Sequence, residues 1–237
     1  MCSDEVGANE FTAADIVQQG SATGITWNLA TTDNITWTLT ATAVVGQGTV
    51  MPHIPQDAVL DRYSNKVAAS THTDYSVVYD ITAPVLSFNS LSPANPSAER
   101  RPTIFGTASE PSIVTLYFDS GCSVAKSTPT SNTAFPAPGL APTDDVAADA
   151  MTPIYARAVD PAGNVSLCTL MSNYNHDGTP PFVVSASSTK ADGYYKAGQV
   201  IPITVTFSEN VFVTGVPQIT LETGASDVVV NYTSASG

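Results

Sequence analysis

A junction pattern that occurs twice in the chain is the feature that most constrains its fold. Each copy has an aspartate, an asparagine four residues later, a second aspartate 17 to 19 residues after the first, and a threonine-proline stretch. The two copies are Asp61, Asn65, Asp80 and Thr82-Ala83-Pro84, and Asp160, Asn164, Asp177 and Thr179-Pro180-Pro181. Because equivalent residues lie about one hundred residues apart, the sequence predicts repeated modules.

The repeat period sets the size of each module. A period of about one hundred residues is typical of immunoglobulin-like β-sandwiches. We place the boundaries near Ala83 and Thr179, which gives a first segment of residues 1–83, a middle segment of residues 84–178 and a third segment of residues 179–237. Proline fixes φ and disfavours helix in the residue before it, so the connections are predicted to be short and stiff.

The sequence between the junctions is typical of β-strands. The stretch NITWTLTATAV places Ile35, Trp37, Leu39 and Ala41 on one face and threonines on the other, which is the pattern of a half-buried strand. IVTLYF, PIYARAV, VIPITVTF and VPQITLE are similar and are bounded by turn-forming residues. FTAADIVQQG fits a short helix or a bend between strands. The predicted fold class is all-β, with tandem immunoglobulin-like β-sandwiches.

A second internal match concerns how complete each module is. FSENVFVTG at residues 207–215 resembles CSDEVGANEF at residues 2–11, but only the third segment has strand-like sequence before this motif. We therefore expect the first segment to lack its N-terminal strands and the third to be only the N-terminal part of a module. The middle segment is expected to be complete. Truncated sandwiches expose strand edges, so the two ends are expected to be marginally ordered.

The charge balance restricts the partners of the chain. The formal net charge is −13, with eight Lys and Arg against 21 Asp and Glu. Nucleic-acid binding needs cationic contacts with phosphates, so we exclude nucleic acid as a partner. An apolar run of about 18 residues is absent, which predicts no membrane insertion. MCSDEVGANEF does not resemble a secretion signal, so a signal for export is expected upstream of this sequence.

The cysteines allow one disulfide bond within the chain. Cys122 and Cys168 both lie in the middle segment and are the natural pair, whereas Cys2 has no evident partner. A bond between them would indicate an oxidising compartment. The competing interpretation is two separately buried thiols.

Several stretches resemble the bacterial immunoglobulin-like repeats of large secreted or surface-anchored proteins. They are SLSPANPSAERRPTIFGTASEPSIVTLYFDSGC with IYARAVDPAGNVSLC, DGYYKAGQVIPITVTFSENVFVTGVPQITLETG, and DEVGANEFTAADIVQQG, and together they cover most of the chain. The resemblance implies a string of β-sandwiches at a bacterial surface that serves adhesion, biofilm cohesion or reach. In related adhesins, calcium at module junctions stiffens the rod. The three segments resemble different subtypes, so the ligand of no single repeat is carried over.

The two junctions are candidate calcium sites. Calcium takes six to eight oxygen ligands, and Asp160, Asn164 and Asp177 offer carboxylate and amide oxygens. Asp61, Asn65 and Asp80 form the equivalent set. The alternative is that these side chains only cap turn amides, with Gly163-Asn164 as a tight turn. In the first copy Ser64 replaces the glycine, so Asn65 is expected to supply any left-handed geometry.

The sequence contains no recognisable catalytic motif, and we expect no enzyme activity. His53, His72 and His176 are scattered and do not form the pair of a helical zinc site. No Gly-x-Ser-x-Gly nucleophile motif is present. Acidic pairs such as Asp144-Asp145 lie in loop-like sequence and are expected to be solvated.

The sequence therefore predicts a mechanical function. We expect a structural or adhesive segment of a bacterial cell-surface or secreted protein, acting as a rigid spacer that presents a distal binding domain. Its partners would be the neighbouring modules of the parent chain and a surface protein or glycan target. The alternative is a spacer or carbohydrate-binding module of a secreted polysaccharide-active enzyme, for which Tyr194 and Tyr195 are the candidate contacts. A third possibility is association of two chains through their truncated modules.

Overall fold

The fold is all-β, as predicted. The computed structural model describes residues 11–71 and 76–233, which contain sixteen strands and two short 3-10 helices. All strand pairs of the sheets are antiparallel. Each of these helices has three residues, so neither has the length that a membrane crossing requires. The chain forms two units, residues 1–176 and 177–237.

The described part of the first segment contains six strands in three two-stranded sheets. The strands are β1 (Val17–Gln18), β2 (Thr26–Thr31), β3 (Trp37–Ala43), β4 (Gly48–Val50), β5 (Pro52–His53) and β6 (Val77–Tyr79). The sheets pair β1 with β5, β2 with β3, and β4 with β6. The helical candidate near the start is a 3-10 turn, Ala13–Asp15, which begins with a capping box between Thr12 and Asp15.

A small apolar cluster lies beneath the β2–β3 hairpin. Its buried members are Phe11, Ile16 and Val59. Half-buried side chains of the hairpin pack on it, namely Trp27, Leu29, Trp37 and Leu39. The period-two pattern is confirmed for Trp37 and Leu39, but Ile35 lies in the hairpin turn and Ala41 is exposed, because the cluster covers only part of β3.

The middle segment contains six strands in two sheets. The strands are β7 (Leu86–Ser92), β8 (Thr103–Ala108), β9 (Ile113–Tyr117), β10 (Thr130–Ser131), β11 (Met151–Val159) and β12 (Thr169–Asn175). One sheet has the order β10-β9-β11-β12, and the other pairs β7 with β8. A short 3-10 helix, Asn132–Ala134, follows β10.

The largest hydrophobic core of the described residues lies in the middle segment and is shared by both sheets. Alternate residues of β11 point into it, so Thr152, Ile154, Ala156 and Ala158 are buried. Phe135 lies outside the strands, and its side chain is fully buried in the same core. The Phe135 ring packs on Gly106 of β8, where a Cβ atom would overlap both the ring and the Ser87 carbonyl. Two sheets that enclose one core are consistent with a β-sandwich.

The predicted disulfide bond is confirmed. Cys122 and Cys168 are joined, with Cα atoms 5.8 Å apart and a sequence separation of 46. Cys122 lies in the turn after β9 and is buried, while Cys168 lies just before β12. The bond therefore joins the flanks of β9 and β12, which both border β11 in the sheet. Cys2 lies outside the described residues.

In its described residues, 177–233, the second unit contains two hairpins. They are β13 (Val183–Ser188) with β14 (Ile203–Phe207), and β15 (Gln218–Leu221) with β16 (Val228–Asn231). Within residues 177–233 every side chain is exposed or only partly buried, including Phe182 and Phe212. Two-stranded hairpins without a buried core are marginally stable in water. This unit therefore draws little stability from its own packing.

Candidate functional site

The second junction contains a closed turn directly after β11. The Asp160 carboxylate accepts hydrogen bonds from both the backbone N–H (2.8 Å) and the side-chain amide (2.8 Å) of Asn164. Gly163 supplies the left-handed conformation that the turn requires, at φ +93°. Burial acts to raise the pKa of Asp160, but hydrogen bonds from Asn164 and from the turn amides outweigh it and lower the pKa.

The first junction has the same turn. Asn65 donates to Asp61 from its backbone N–H (2.7 Å) and from its side-chain amide (2.8 Å). Both hydrogen bonds lower the pKa of Asp61, and the bond from the Asn65 side chain has the larger effect. Our expectation that Asn65 adopts the left-handed conformation is wrong. Ser64 adopts it, at φ +67°, because the turn needs a positive φ at the position that Gly163 occupies in the other copy.

The two junctions are connected through Asp80. Besides its bond to Asp160, the Asn164 side-chain amide donates to the backbone carbonyl of Asp80 at 3.1 Å. Asp80 lies directly after β6, and its carboxylate accepts from the Thr82 backbone N–H at 2.9 Å. The turn of the middle segment is therefore hydrogen-bonded to the connection that leads into that segment. Asn65 makes the same turn without this additional bond among its described contacts.

Three carboxylates meet at this connection. Oxygens of Asp80, Glu110 and Asp160 all lie within 4.8 Å of one another. The structure thus brings together one aspartate from each predicted set and adds Glu110, while Asp61 and Asn65 form their own turn. Asp177 is the first residue of the second unit.

Glu110 was missed by the sequence reasoning. It lies between β8 and β9, and 50 positions separate it from Asp160, so no local spacing relates the two. Its only sequence signal is a Ser-Glu pair at a strand end, Ser109-Glu110, which resembles Ser208-Glu209 after β14. Burial raises the pKa of Glu110, and the carboxylates of Asp80 and Asp160 raise it further.

An open cleft of about 600 Å³ lies beside the carboxylates. Its walls come from both segments: Ser21, Gln47, Tyr79, Asp80 and Thr82 from the first segment and its connection, and Ser109 and Glu110 from the middle segment. A hydrogen bond between the side chains of Thr82 and Gln47 fixes part of this wall. Water therefore has access to the carboxylate cluster.

The oxygen geometry is compatible with one shared cation. Calcium–oxygen distances are about 2.3–2.6 Å, so two ligands of one ion lie no more than about 5 Å apart. The three carboxylates satisfy this limit. However, the Asp160 carboxylate already accepts two hydrogen bonds from Asn164, which is what the turn interpretation predicts. The arrangement therefore fits both alternatives that the sequence left open.

The described histidines have structural contacts. His176 is buried, and its Nδ1 accepts a hydrogen bond from the Asp149 backbone N–H at 2.9 Å. His53 Nδ1 lies 3.1 Å from the Ser70 hydroxyl. His72 lies outside the described residues. Among the residues that the structure describes, the only cluster of three metal-ligating side chains is the carboxylate cluster.

Comparison with known proteins gives no relative for this chain. No family model, no curated protein and no solved structure matches it.

Neutralising Glu110 is expected to stabilise the first unit at pH 7 when divalent cations are removed with EDTA. A carboxyl group with a raised folded pKa contributes stability that is present below its unfolded pKa and is lost as the pH rises through its folded pKa. The Glu110→Gln side chain does not ionise, so this variant does not lose that stability as the pH rises. Thermal unfolding at a series of pH values should show a higher Tm than wild type at pH 7, with the difference disappearing toward about pH 4.

Glu99→Gln is the matched control. It removes one negative charge from the same segment, and the remaining amide oxygen still accepts from the Arg101 backbone N–H, which lies 2.8 Å from the Glu99 carboxylate. Its Tm should follow the wild type. A Glu110→Gln variant that is less stable than wild type at pH 7 in EDTA would show that the three carboxylates do not repel one another.

Proposed function

We propose that this chain is a mechanical spacer made of immunoglobulin-like modules, part of a bacterial cell-surface or secreted repeat protein, and that it presents a distal binding domain. One observation carries the proposal: the Asn164 side chain bonds the Asp80 carbonyl across the connection between two segments. The contact restricts bending between those segments, which is the property that a spacer requires. Its partners would be neighbouring modules of the parent chain and a surface protein or glycan target.

Other features support this proposal. The connection is short, and Asp80 to Pro84 contains a turn closed by the Asp80 carboxylate and Thr82. The Cys122–Cys168 bond is typical of proteins in oxidising compartments, which fits an extracellular location. The described histidines are engaged in structural hydrogen bonds. We therefore propose a non-catalytic role.

Asn164→Ala is expected to loosen the connection while Asn65→Ala leaves it intact. Both variants lose the same hydrogen bonds within a turn, but only Asn164 also bonds Asp80. Spin labels at Val45→Cys and Val124→Cys, two sites that are 74% and 59% exposed, would report the distance between the segments. All proteins carry Cys2→Ser to prevent labelling there. The distance distribution should be narrow in the parent protein and broader in the Asn164→Ala variant.

Two results would contradict the spacer proposal. The first is an equally broad distribution in the parent protein, since such a connection would not restrict bending. The second is equal broadening by Asn65→Ala and Asn164→Ala, since the effect would then come from turn stability and not from the bond to Asp80.

We further propose that calcium binds the carboxylates of Asp80, Glu110 and Asp160 and strengthens the connection. Calcium would neutralise the repulsion that raises the pKa of Glu110. Calcium at one hundred times its Kd is expected to stabilise the folded state by about 2.7 kcal/mol, which is roughly 5–10 °C in Tm. Melting with calcium and with a chelator checks this. Glu99→Gln should retain the shift and Glu110→Gln should lose most of it, whereas an unchanged wild-type Tm would identify the junctions as turns only.

The second candidate function is a glycan-binding or spacer module of a polysaccharide-active enzyme. One observation favours it: the Tyr194 side chain is fully exposed beside Tyr195, whose ring lies 5.8 Å from the Lys190 ammonium. Exposed aromatic rings are suited to stack on sugars. Retardation of the chain in gels that contain soluble polysaccharide, abolished by Tyr194→Ala, would favour this function over the spacer.

A further inference from the structure

We propose that two copies of this chain associate through the outer edge of β3, which pairs antiparallel with β3 of the second copy. The β2–β3 hairpin is a two-stranded sheet, and in the described ranges 11–71 and 76–233 neither strand pairs with a third strand. The outer edge of β3 therefore presents backbone N–H and C=O groups that a further extended strand satisfies.

Two outer edges of the middle segment, those of β8 and β12, are covered, in contrast to β3. The outer edge of β8 exchanges hydrogen bonds with Leu140 and donates to the Phe135 carbonyl. The outer edge of β12 is covered by the Asn95 side chain, which accepts from the Asn175 backbone N–H (2.8 Å) and donates to the Asn173 carbonyl (2.9 Å). Proteins that remain monomeric protect their edge strands in these ways, or with lysine and proline. β3 has neither lysine nor proline.

The charge distribution favours a second copy as the partner. The whole chain carries a net charge of −13, so most surfaces of two copies repel each other. Between Asp15 and Asp57, however, the only charged side chain is Asp33, which lies in the hairpin turn and not on β3. The strands β2 and β3 therefore carry no charged side chain, and two copies meet along β3 without opposed carboxylates.

The side chains of β3 are also self-complementary. When a two-fold axis passes through Thr40, the antiparallel pairing brings Leu39 opposite Ala41 and Trp37 opposite Ala43 of the second copy. Leu39 and Trp37 are half-buried over the apolar cluster, while the two alanines are exposed, so large side chains meet small uncovered ones. On the other face, threonines at 38, 40 and 42 pair with one another, and such cross-strand pairs of β-branched residues are favourable.

The proposal does not depend on the spacer function. Its pairing strand, β3, contributes no residue to the carboxylate cluster of the connection.

The test is the molar mass of the full chain, measured by light scattering after size exclusion over a wide range of protein concentration. All proteins carry Cys2→Ser. We expect a concentration-dependent dimer whose affinity does not fall as salt is added, because no ion pair holds the paired surface and salt screens the repulsion between the acidic chains. Thr40→Lys places two ammonium groups at the two-fold axis and should raise the dimer Kd at least about tenfold.

Asn28→Lys is the matched control. Asn28 lies directly opposite Thr40 across the hairpin and on the same exposed face, so the substitution adds the same charge to the strand that does not pair. The Asn28→Lys protein should dimerise as the parent does. Circular dichroism of both variants checks that they fold.

A cross-link gives a second readout. Opposed residues of antiparallel strands have Cβ atoms about 4.5–5.5 Å apart, close to the separation in a disulfide. Thr40→Cys should form a covalent dimer under mild oxidation, and Asn28→Cys should not. The proposal is overturned if the parent protein is monomeric at every concentration, if Thr40→Lys dimerises as well as the parent, or if both cysteine variants cross-link equally.

Discussion

Replacing Phe135 with alanine is expected to lower the free energy of unfolding of the first unit by about 3–5 kcal/mol. The Phe135 side chain is fully buried, and its ring fills the space above Gly106 between the two sheets of the middle segment. Alanine leaves a cavity that the surrounding strands cannot close without losing pairing. Chemical denaturation followed by circular dichroism measures the change, which corresponds to roughly 6–20 °C in Tm.

Phe212→Ala is the matched control for this prediction. It removes the same side chain from a position that is 99% exposed in the second unit. Its effect on the main unfolding transition should lie within about 0.5 kcal/mol of zero. If the two variants are equally stable, Phe135 is not part of the core that we describe.

Removing the disulfide bond is expected to have the second-largest effect. The bond closes a loop with a sequence separation of 46, and for that length the loss of chain entropy in the unfolded state amounts to about 4 kcal/mol. We expect Cys122→Ala with Cys168→Ala to lower the free energy of unfolding by about 2–4 kcal/mol, because measured effects usually fall below the entropic value. Denaturation in the absence of reductant measures this change.

Reduction of the wild-type protein provides the control. A thiol reductant should lower the Tm of the wild type to about that of the double variant and should leave the variant unchanged. A wild-type Tm that does not respond to a reductant at a concentration that breaks the bond would mean that the closed loop does not contribute to stability.

The sequence predicted those parts of the fold that depend on neighbouring residues. The all-β class follows from alternation, and Trp37 and Leu39 point to the apolar cluster as their spacing requires. The disulfide bond could be anticipated because only two cysteines share the middle segment. The turns at Asp61 and Asp160 are also local, since each depends on an asparagine four residues later.

The sequence did not predict contacts that depend on how strands and segments pack. The carboxylate cluster combines Asp80, Glu110 and Asp160, which come from three distant parts of the chain. The exposure of Ala41 likewise depends on how far the small cluster extends beneath β3. Such contacts are fixed by the tertiary arrangement. The spacing of residues within a motif therefore carries no information about them.

The position of the Cys122–Cys168 bond also has a consequence for a chain that is pulled from its ends. Residues between the two cysteines, β11 among them, are enclosed in a covalent loop and are bypassed by tension. A loop of this sequence separation withholds roughly 150 Å of extended length at about 3.3–3.6 Å per residue. A fully extended middle segment would therefore be shorter by this length than its number of residues allows. β11 would stay within the closed loop and could refold there when the tension ends.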